Sequence, residues 1–341
     1  MTKYLYYAFC AFASSFFLTW VLRKYALSAN IIDIPNNRSS HTVPTPRGGG
    51  VSFVITFIIA ELCFLLFQEV EFDGAIALLG AGLLVAVIGF MDDQGHIPAR
   101  WRLLGHFCAS LWAVFWLKGL PPIIILGVKI DIGWLSYLFC TLYLVWMLNL
   151  YNFMDGIDGL AGVELLTSCM SLALIYILTG HLDMVVTPLT LSMCVAGFLC
   201  WNFPKARIFM GDSGSGFLGI ILAIFSIQAA WVEQKFLWSW LIIMGVFIVD
   251  ATFTLLRRLA RGDKVYEAHR SHAYQYASRQ YGKHTYITLA VCVINIFWLL
   301  PIAMAVCFLH LDGFIAAVFA YIPLIAIAIK YRAGQLENTQ C

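Results

Sequence analysis

Charge is what this 341-residue chain has least of: 21 Lys or Arg and 19 Asp or Glu make up 12% of it, where soluble domains carry about a quarter. That scarcity excludes a water-soluble globule, because so few charges cannot cover a surface of this size. The formal net charge of +2 excludes a nucleic-acid partner, whose phosphates require a clustered excess of base. No CxxC pair and no Cys/His metal spacing occur among the ten cysteines. Nine of them lie in apolar runs and read as small, polarizable packing residues. Fixed-period repeats and low-complexity segments are missing too. This leaves one domain over residues 1–341, with a flexible tail at about 331–341.

What is abundant is apolar sequence, 61% of residues, with 15% aromatic. A bilayer-spanning helix needs roughly 20 mostly apolar residues, and eleven runs of about that length are found. They start near Tyr4, Gly50, Ala75, Leu103, Trp134, Leu160, Val185, Ser215, Phe236, Tyr286 and Leu311. The fold class expected is an all-α integral membrane protein of about eleven transmembrane helices. The stretch from Pro121 to Ile132 is too short to span and alternates weakly, which predicts an exposed hairpin. Loops after odd-numbered runs, with the tail, hold 17 of the 21 Lys and Arg. The positive-inside rule therefore places the amino terminus outside and the carboxyl terminus in the cytoplasm. Arg23 and Lys24 follow the first apolar run and no small-residue cleavage site is present, so that run reads as a retained anchor.

The same odd-numbered loops hold carboxylates against helix ends. In GFMDDQGHIPARWRLLGH, Asp92 and Asp93 are adjacent at a membrane face, where mutual repulsion and desolvation require a cation or a proton. In LNLYNFMDGIDGLAG, Asn149, Asn152, Asp155 and Asp158 recur every three residues. On a continued helix these four would form a stripe of oxygen donors, suited to Mg²⁺ or Mn²⁺. WNFPKARIFMGDSGSGFLG supplies Asn202, Phe209 and Asp212, with Gly and Ser at a helix start whose N–H groups can receive phosphate oxygens. The ninth loop is the most basic stretch, and His269, Arg270, Ser271 and His272 gather donors for anionic oxygens. In SSHTVPTPRGGG, prolines stiffen the approach of Arg47 to three glycines at a helix start. Glu61 and Asp250 are carboxylates inside spans, and intramembrane charge points to function. Asp250 is near enough to the cytoplasmic end to face the same site, Glu61 has no evident partner, and neither is expected to be catalytic. Carboxylates, backbone donors and basic groups on one face suit phosphoryl transfer from a soluble nucleotide to a lipid phosphate.

In order along the chain, HTVPTPRGGG, MDDQG, NFMDGIDGLAG and IFMGDSGSGFLG resemble the motifs of the polyprenyl-phosphate N-acetylhexosamine-1-phosphate transferase superfamily. That superfamily includes phospho-N-acetylmuramoyl-pentapeptide transferases and undecaprenyl-phosphate N-acetylglucosamine-1-phosphate transferases. The resemblance implies a bundle of ten or eleven helices in the bacterial cytoplasmic (inner) membrane, with the active site on cytoplasmic loops. It implies attack by undecaprenyl phosphate on the β-phosphate of a UDP-N-acetyl sugar, with release of UMP and with Mg²⁺ or Mn²⁺ as cofactor, and it is compatible with a homodimer. Carried over residue by residue, Asp212 resembles the metal carboxylate and Asn152 a second ligand. Asp158 resembles the uracil contact, Asn202 and Phe209 the polar and stacking contacts of the nucleoside, and Arg102 the cation on the phosphates. Asp92 and Asp93 resemble the acidic pair that orients or deprotonates the lipid phosphate, and Asp155 a supporting catalytic carboxylate.

HRSHAYQ keeps only the first histidine of the H-x-H-H pattern of many relatives, since Ala273, Tyr274 and Gln275 follow His272. In this it resembles the branch that initiates O-antigen and related surface polysaccharides, with 6-deoxy donors such as UDP-N-acetylfucosamine or UDP-N-acetylquinovosamine. UDP-N-acetylglucosamine is the alternative donor. Direct displacement is favoured over an aspartyl-phosphate intermediate, because a lipid phosphate near pH 7 needs positioning more than activation. A secondary transporter would place its charges near the midplane on repeated, broken helices. A CDP-alcohol phosphotransferase would require D-G-x-x-A-R after Asp155 and Gly156, and neither pattern occurs.

Overall fold

The computed structural model of the chain describes residues 2–35, 42–95, 97–263 and 270–335. Each of the eleven apolar runs is helical. The first eight helices are α1 (Thr2–Ser28), α2 (Gly50–Leu66), α3 (Phe72–Gly95), α4 (Ala99–Leu117), α5 (Leu135–Met154), α6 (Leu160–Thr179), α7 (Val186–Asn202) and α8 (Asp212–Val232). The ninth run is a pair, α9 (Gln234–Ile243) and α10 (Gly245–Ala260), bent by 70°. A short amphipathic α11 (Ala273–Tyr281) follows. The tenth run is α12 (His284–Ile294) and α13 (Leu300–Phe308), joined by a π-helical segment Asn295–Leu299, and the last is α14 (Gly313–Lys330).

Among the described residues eight helices are long and apolar enough to cross a membrane, or nine with the bent pair as one span. Outside that number are α2, at 17 residues, and α4, whose first two turns carry Arg100, Arg102 and His106. Large apolar side chains face outward around the bundle, Leu66, Trp134 and Phe297 at 80%, 77% and 74% exposure among them, as a lipid-facing surface requires. The expected hairpin is present, with β3 (Ile123–Ile125) antiparallel to β4 (Val128–Ile130). Before it, β1 (Ile32–Asp33) pairs with β2 (Thr45–Pro46) in the first loop.

The core is built around α8, whose inner turns from Ser213 to Ile227 are buried throughout. It packs against α3 and α5, and also against α2 and α9. Small residues permit the close crossings on which helix packing in lipid depends. A Cβ on Gly89 of α3 would stand 2.5 Å from the carbonyl carbon of Asp212. The first turn of α8 therefore sits directly on the end of α3 that carries Asp92 and Asp93. The nine described cysteines are free, and Cys140, Cys169, Cys194 and Cys307 are buried packing residues. Beyond α14 the chain stays packed through residue 335. Ala333 is fully buried, and its carbonyl accepts from Arg257 Nη1 at 3.2 Å, while the Gly334 amide donates to the Ser271 carbonyl at 2.6 Å. Of the segment read as a flexible tail, 331–335 are thus held in place and 336–341 lie outside the described residues.

Candidate active site

Loops following the odd-numbered runs meet at one end of the bundle, around a cavity of about 250 Å³. The first loop enters through backbone pairing: the amides of Gly49 and Gly50 donate to the carbonyls of Phe209 and Met210 at 2.8 Å, and the Phe209 amide donates to the Pro46 carbonyl at 2.8 Å. Gly50 and Gly214 pack backbone to backbone, since a Cβ on Gly50 would lie 2.5 Å from the Gly214 Cα. The glycines of PRGGG and GDSGSG are therefore needed for the two motifs to touch, and that contact brings Arg47 to the cavity wall.

The adjacent aspartates of the third loop do different things. Asp93 accepts from the Asp212 amide at 3.1 Å and from the Ser213 amide at 3.3 Å. It satisfies the free N–H groups at the start of α8 that phosphate oxygens would otherwise meet. Arg47 Nη2 donates to the Asp93 carbonyl. Asp92 accepts from the Ile97 amide at 2.7 Å and from Arg102 Nη1, and the same nitrogen reaches Asp212 Oδ2 at 3.2 Å. Arg102 thus bridges Asp92 and Asp212, and of these three only Asp212 is on the cavity wall.

The expected stripe of the fifth loop breaks. Helix α5 ends at Met154, Asp155 is its C-cap with φ −86° and ψ 58°, and Gly159 at φ +74° starts α6. Asn149 stays on α5, donating to the Val145 carbonyl at 2.7 Å, and does not line the cavity. Asn152, Asp155 and Asp158 do, together with Asp212. Asn152 Oδ1 accepts from Ser215 Oγ at 2.5 Å. Asp158 Oδ2 lies 3.4 Å from His284 Nδ1, and the Thr288 hydroxyl donates to the Asp158 carbonyl at 2.9 Å. Burial first, then the charges of Asp93 and Asp158, push the Asp155 carboxyl up to about 7. Asn202 accepts from the Gly159 amide and donates to the Ile208 carbonyl, each at 2.9 Å, so it ties the fifth loop to the seventh. Phe209 forms part of the same wall.

In the ninth loop His269 lies outside the described residues. His272 is buried and caps α11: its Nδ1 is 3.3 Å from Asp250 Oδ1, and its amide donates to Gln275 Oε1 at 3.2 Å. Asp250 also accepts from the Ala273 and Tyr274 amides at 2.9 and 3.0 Å. The intramembrane carboxylate read as facing the site instead anchors the loop that flanks it. Tyr274 carries this order to the fifth loop by donating to the Phe153 carbonyl at 3.0 Å. Neither His272 nor Arg270 lines the cavity, whereas Gln275 and His284 do, with Asp33 from the first loop. Sequence reading missed these three as site residues. His284 was visible only as one histidine of a basic loop, and the turn that brings it to Asp158 is tertiary.

The cavity suits Mg²⁺ by the chemistry of its donors, since Asp155, Asp158, Asp212 and Asn152 are all oxygen ligands. No group of three or more His, Cys, Asp or Glu is arranged as a metal cage among the described residues.

Fold and site together define a polytopic helical membrane protein with an acidic, oxygen-lined cavity where its loops converge. Residues 75–230 match the model of glycosyl transferase family 4, and the curated proteins that the chain is similar to carry names from the superfamily that its motifs resemble. It is 28% identical over 298 residues, 87% of the chain and 90% of the relative, to an undecaprenyl-phosphate alpha-N-acetylglucosaminyl 1-phosphate transferase of Thermotoga maritima. It is 28% identical over 262 residues, 75% and 72% respectively, to a protein of Bacillus subtilis strain 168 named "Probable undecaprenyl-phosphate N-acetylglucosaminyl 1-phosphate transferase". A phospho-N-acetylmuramoyl-pentapeptide-transferase of Streptococcus pneumoniae is 27% identical over 235 residues, 65% of the chain and 71% of the relative.

Proposed function

We propose that the protein transfers an N-acetylhexosamine 1-phosphate from a UDP-sugar to undecaprenyl phosphate, releasing UMP, at the cytoplasmic face of a bacterial inner membrane. The observation that carries this reading is the convergence of Asn152, Asp155, Asp158, Asp212 and Arg47 on one cavity, with Arg102 bound to Asp212 behind its wall. A phosphate oxygen of the lipid attacks the β-phosphorus, the new P–O bond forms, and the bond from the β-phosphorus to the bridging oxygen breaks. The electron pair leaves with UMP. A bound Mg²⁺ would neutralise diphosphate charge, held by Asp212 with Asn152 or Asp155.

The chain's own groups do the rest. Arg102, fixed by Asp92, and Arg47, fixed on the Asp93 carbonyl, hold anionic oxygens in line. Asp92 then acts by positioning Arg102, because both its oxygens already accept hydrogen bonds. Asp158 and Phe209, both on the cavity wall, would meet the uracil edge and face. HRSHAYQ supports a 6-deoxy sugar donor and a role in starting O-antigen or another surface polysaccharide. A second reading, UDP-N-acetylglucosamine as donor, is supported by the names of the Thermotoga and Bacillus relatives.

Membranes carrying the protein, supplied with undecaprenyl phosphate, Mg²⁺ and a panel of UDP-N-acetyl sugars, test the proposal by UMP release and by mass analysis of the lipid product. A lipid diphospho-sugar formed from one donor supports it and names the sugar. UMP release without a lipid product, or no reaction with any donor, overturns it.

A further inference from the structure

At the end of the bundle away from the site, the loops that follow the even-numbered runs surround a second cavity of about 790 Å³. Its inner wall includes Glu61 of α2, which has no exposed surface and whose carboxylate meets the Thr187 hydroxyl but no cation among the described residues. An ionised carboxylate in that position costs several kcal/mol unless a cation or a proton meets it. Four aromatic side chains, Trp116, Tyr176, Phe225 and Trp231, line the same space. Tyr176 is held in place by Trp240 Nε1, which donates to its hydroxyl at 2.7 Å. Further acidic groups stand around the cavity, and the protein's own ammonium groups already meet two of them: Lys3 donates to Glu69 at 2.8 Å, and Lys118 lies 3.4 Å from Asp73.

We propose that this cavity binds an organic ammonium group, with the Glu61 carboxylate as counter-charge and the aromatic rings as its walls. Carboxylate plus aromatic faces is the arrangement that holds alkylammonium ions, and the apolar wall supplied by Leu78 and Pro188 suits a carbon stem. The volume admits a small amphipathic molecule. The shared chemistry has two sources, an amine-bearing lipid headgroup and a soluble polyamine.

The test uses the full chain in nanodiscs. In phosphatidylglycerol discs, spermidine is titrated by calorimetry. In mixed discs, native mass spectrometry measures retained phosphatidylethanolamine against phosphatidylglycerol. The proposal expects binding in at least one arm, and the arm that binds identifies the source. Glu61→Gln, which keeps the shape of the side chain, should weaken that binding by about tenfold or more, and Trp231→Ala at the rim by about threefold. Thermal unfolding of both variants shows that they are folded, and the rim variant keeps the test open if Glu61→Gln is not. Binding in neither arm, binding that both variants leave unchanged, or a Glu61-dependent response to MgCl₂ alone would overturn it.

Discussion

Asp93 and Asp250 differ from Asp155, Asp158 and Asp212 in what their oxygens face, although all five sit at the same end of the bundle. The first two are spent on the protein itself. Asp93 takes the free amides at the start of α8, and Asp250 those at the start of α11. The other three also line the cavity, as the edge of Asp93 does, but take no helix-start amides, and there Asp155 is pushed upward by burial and by its carboxylate neighbours. A carboxylate met by two backbone N–H groups is paired and positions an element. One such as Asp155, which meets other carboxylates, is poised for a cation or a proton.

The sharpest way to break this division is Asp212→Asn. UMP release should fall by at least about a hundredfold, with membrane insertion and thermal unfolding unchanged. Near-normal turnover would remove Asp212 from the reacting set. Asp155 gives the next largest effect. With its carboxyl at about 7, the ionised fraction, and the rate if the anion is the working form, should drop about tenfold between pH 8 and pH 6. Added Mg²⁺ should draw that midpoint down, and Asp155→Asn should flatten the profile. Folding favours the neutral form of this group, so its contribution to stability is complete below the ordinary carboxylate value of about 4 and is lost as pH rises through about 7. A pH-rate profile with the same midpoint in Asp155→Asn would assign the titration elsewhere.

Asp250→Ala tests the other class. It leaves the Ala273 and Tyr274 amides without their acceptor and should lower stability by about 1–2 kcal/mol, read as an earlier thermal transition. Turnover per folded molecule should change far less than in Asp212→Asn. The smallest effect expected is from His284→Ala. Losing the partner 3.4 Å from Asp158 should raise the KM for the UDP-sugar about fivefold, the size of one hydrogen bond, with kcat nearly constant. A fall in kcat at constant KM would move His284 from nucleotide binding to the reacting phosphates.

Much of the helical architecture was legible, because apolar length and loop polarity report directly on which segments lie in lipid. All eleven runs became helical, the ninth as a bent pair, and the weakly alternating Pro121 to Ile132 stretch became a hairpin. Spacing was less informative at the site. The three-residue period from Asn149 to Asp158 predicted a stripe, yet α5 stops at Met154, and the turn beyond it aims Asp155 and Asp158 while leaving Asn149 behind. Adjacency misled in the same way, for Asp92 and Asp93 part to opposite tasks one residue from each other.

The sequence by itself determined that the chain is a helical membrane protein, which loops share one end, and which residue types gather there. Those properties depend on local composition and on the energy of moving side chains between water and lipid. Only the tertiary structure decided which carboxylates take helix-start amides, that His284 joins Asp158, that Asp250 anchors the ninth loop, and that Glu61 faces a second cavity. Those outcomes depend on which backbone amide or side chain arrives from a distant helix, and chain order does not encode that directly.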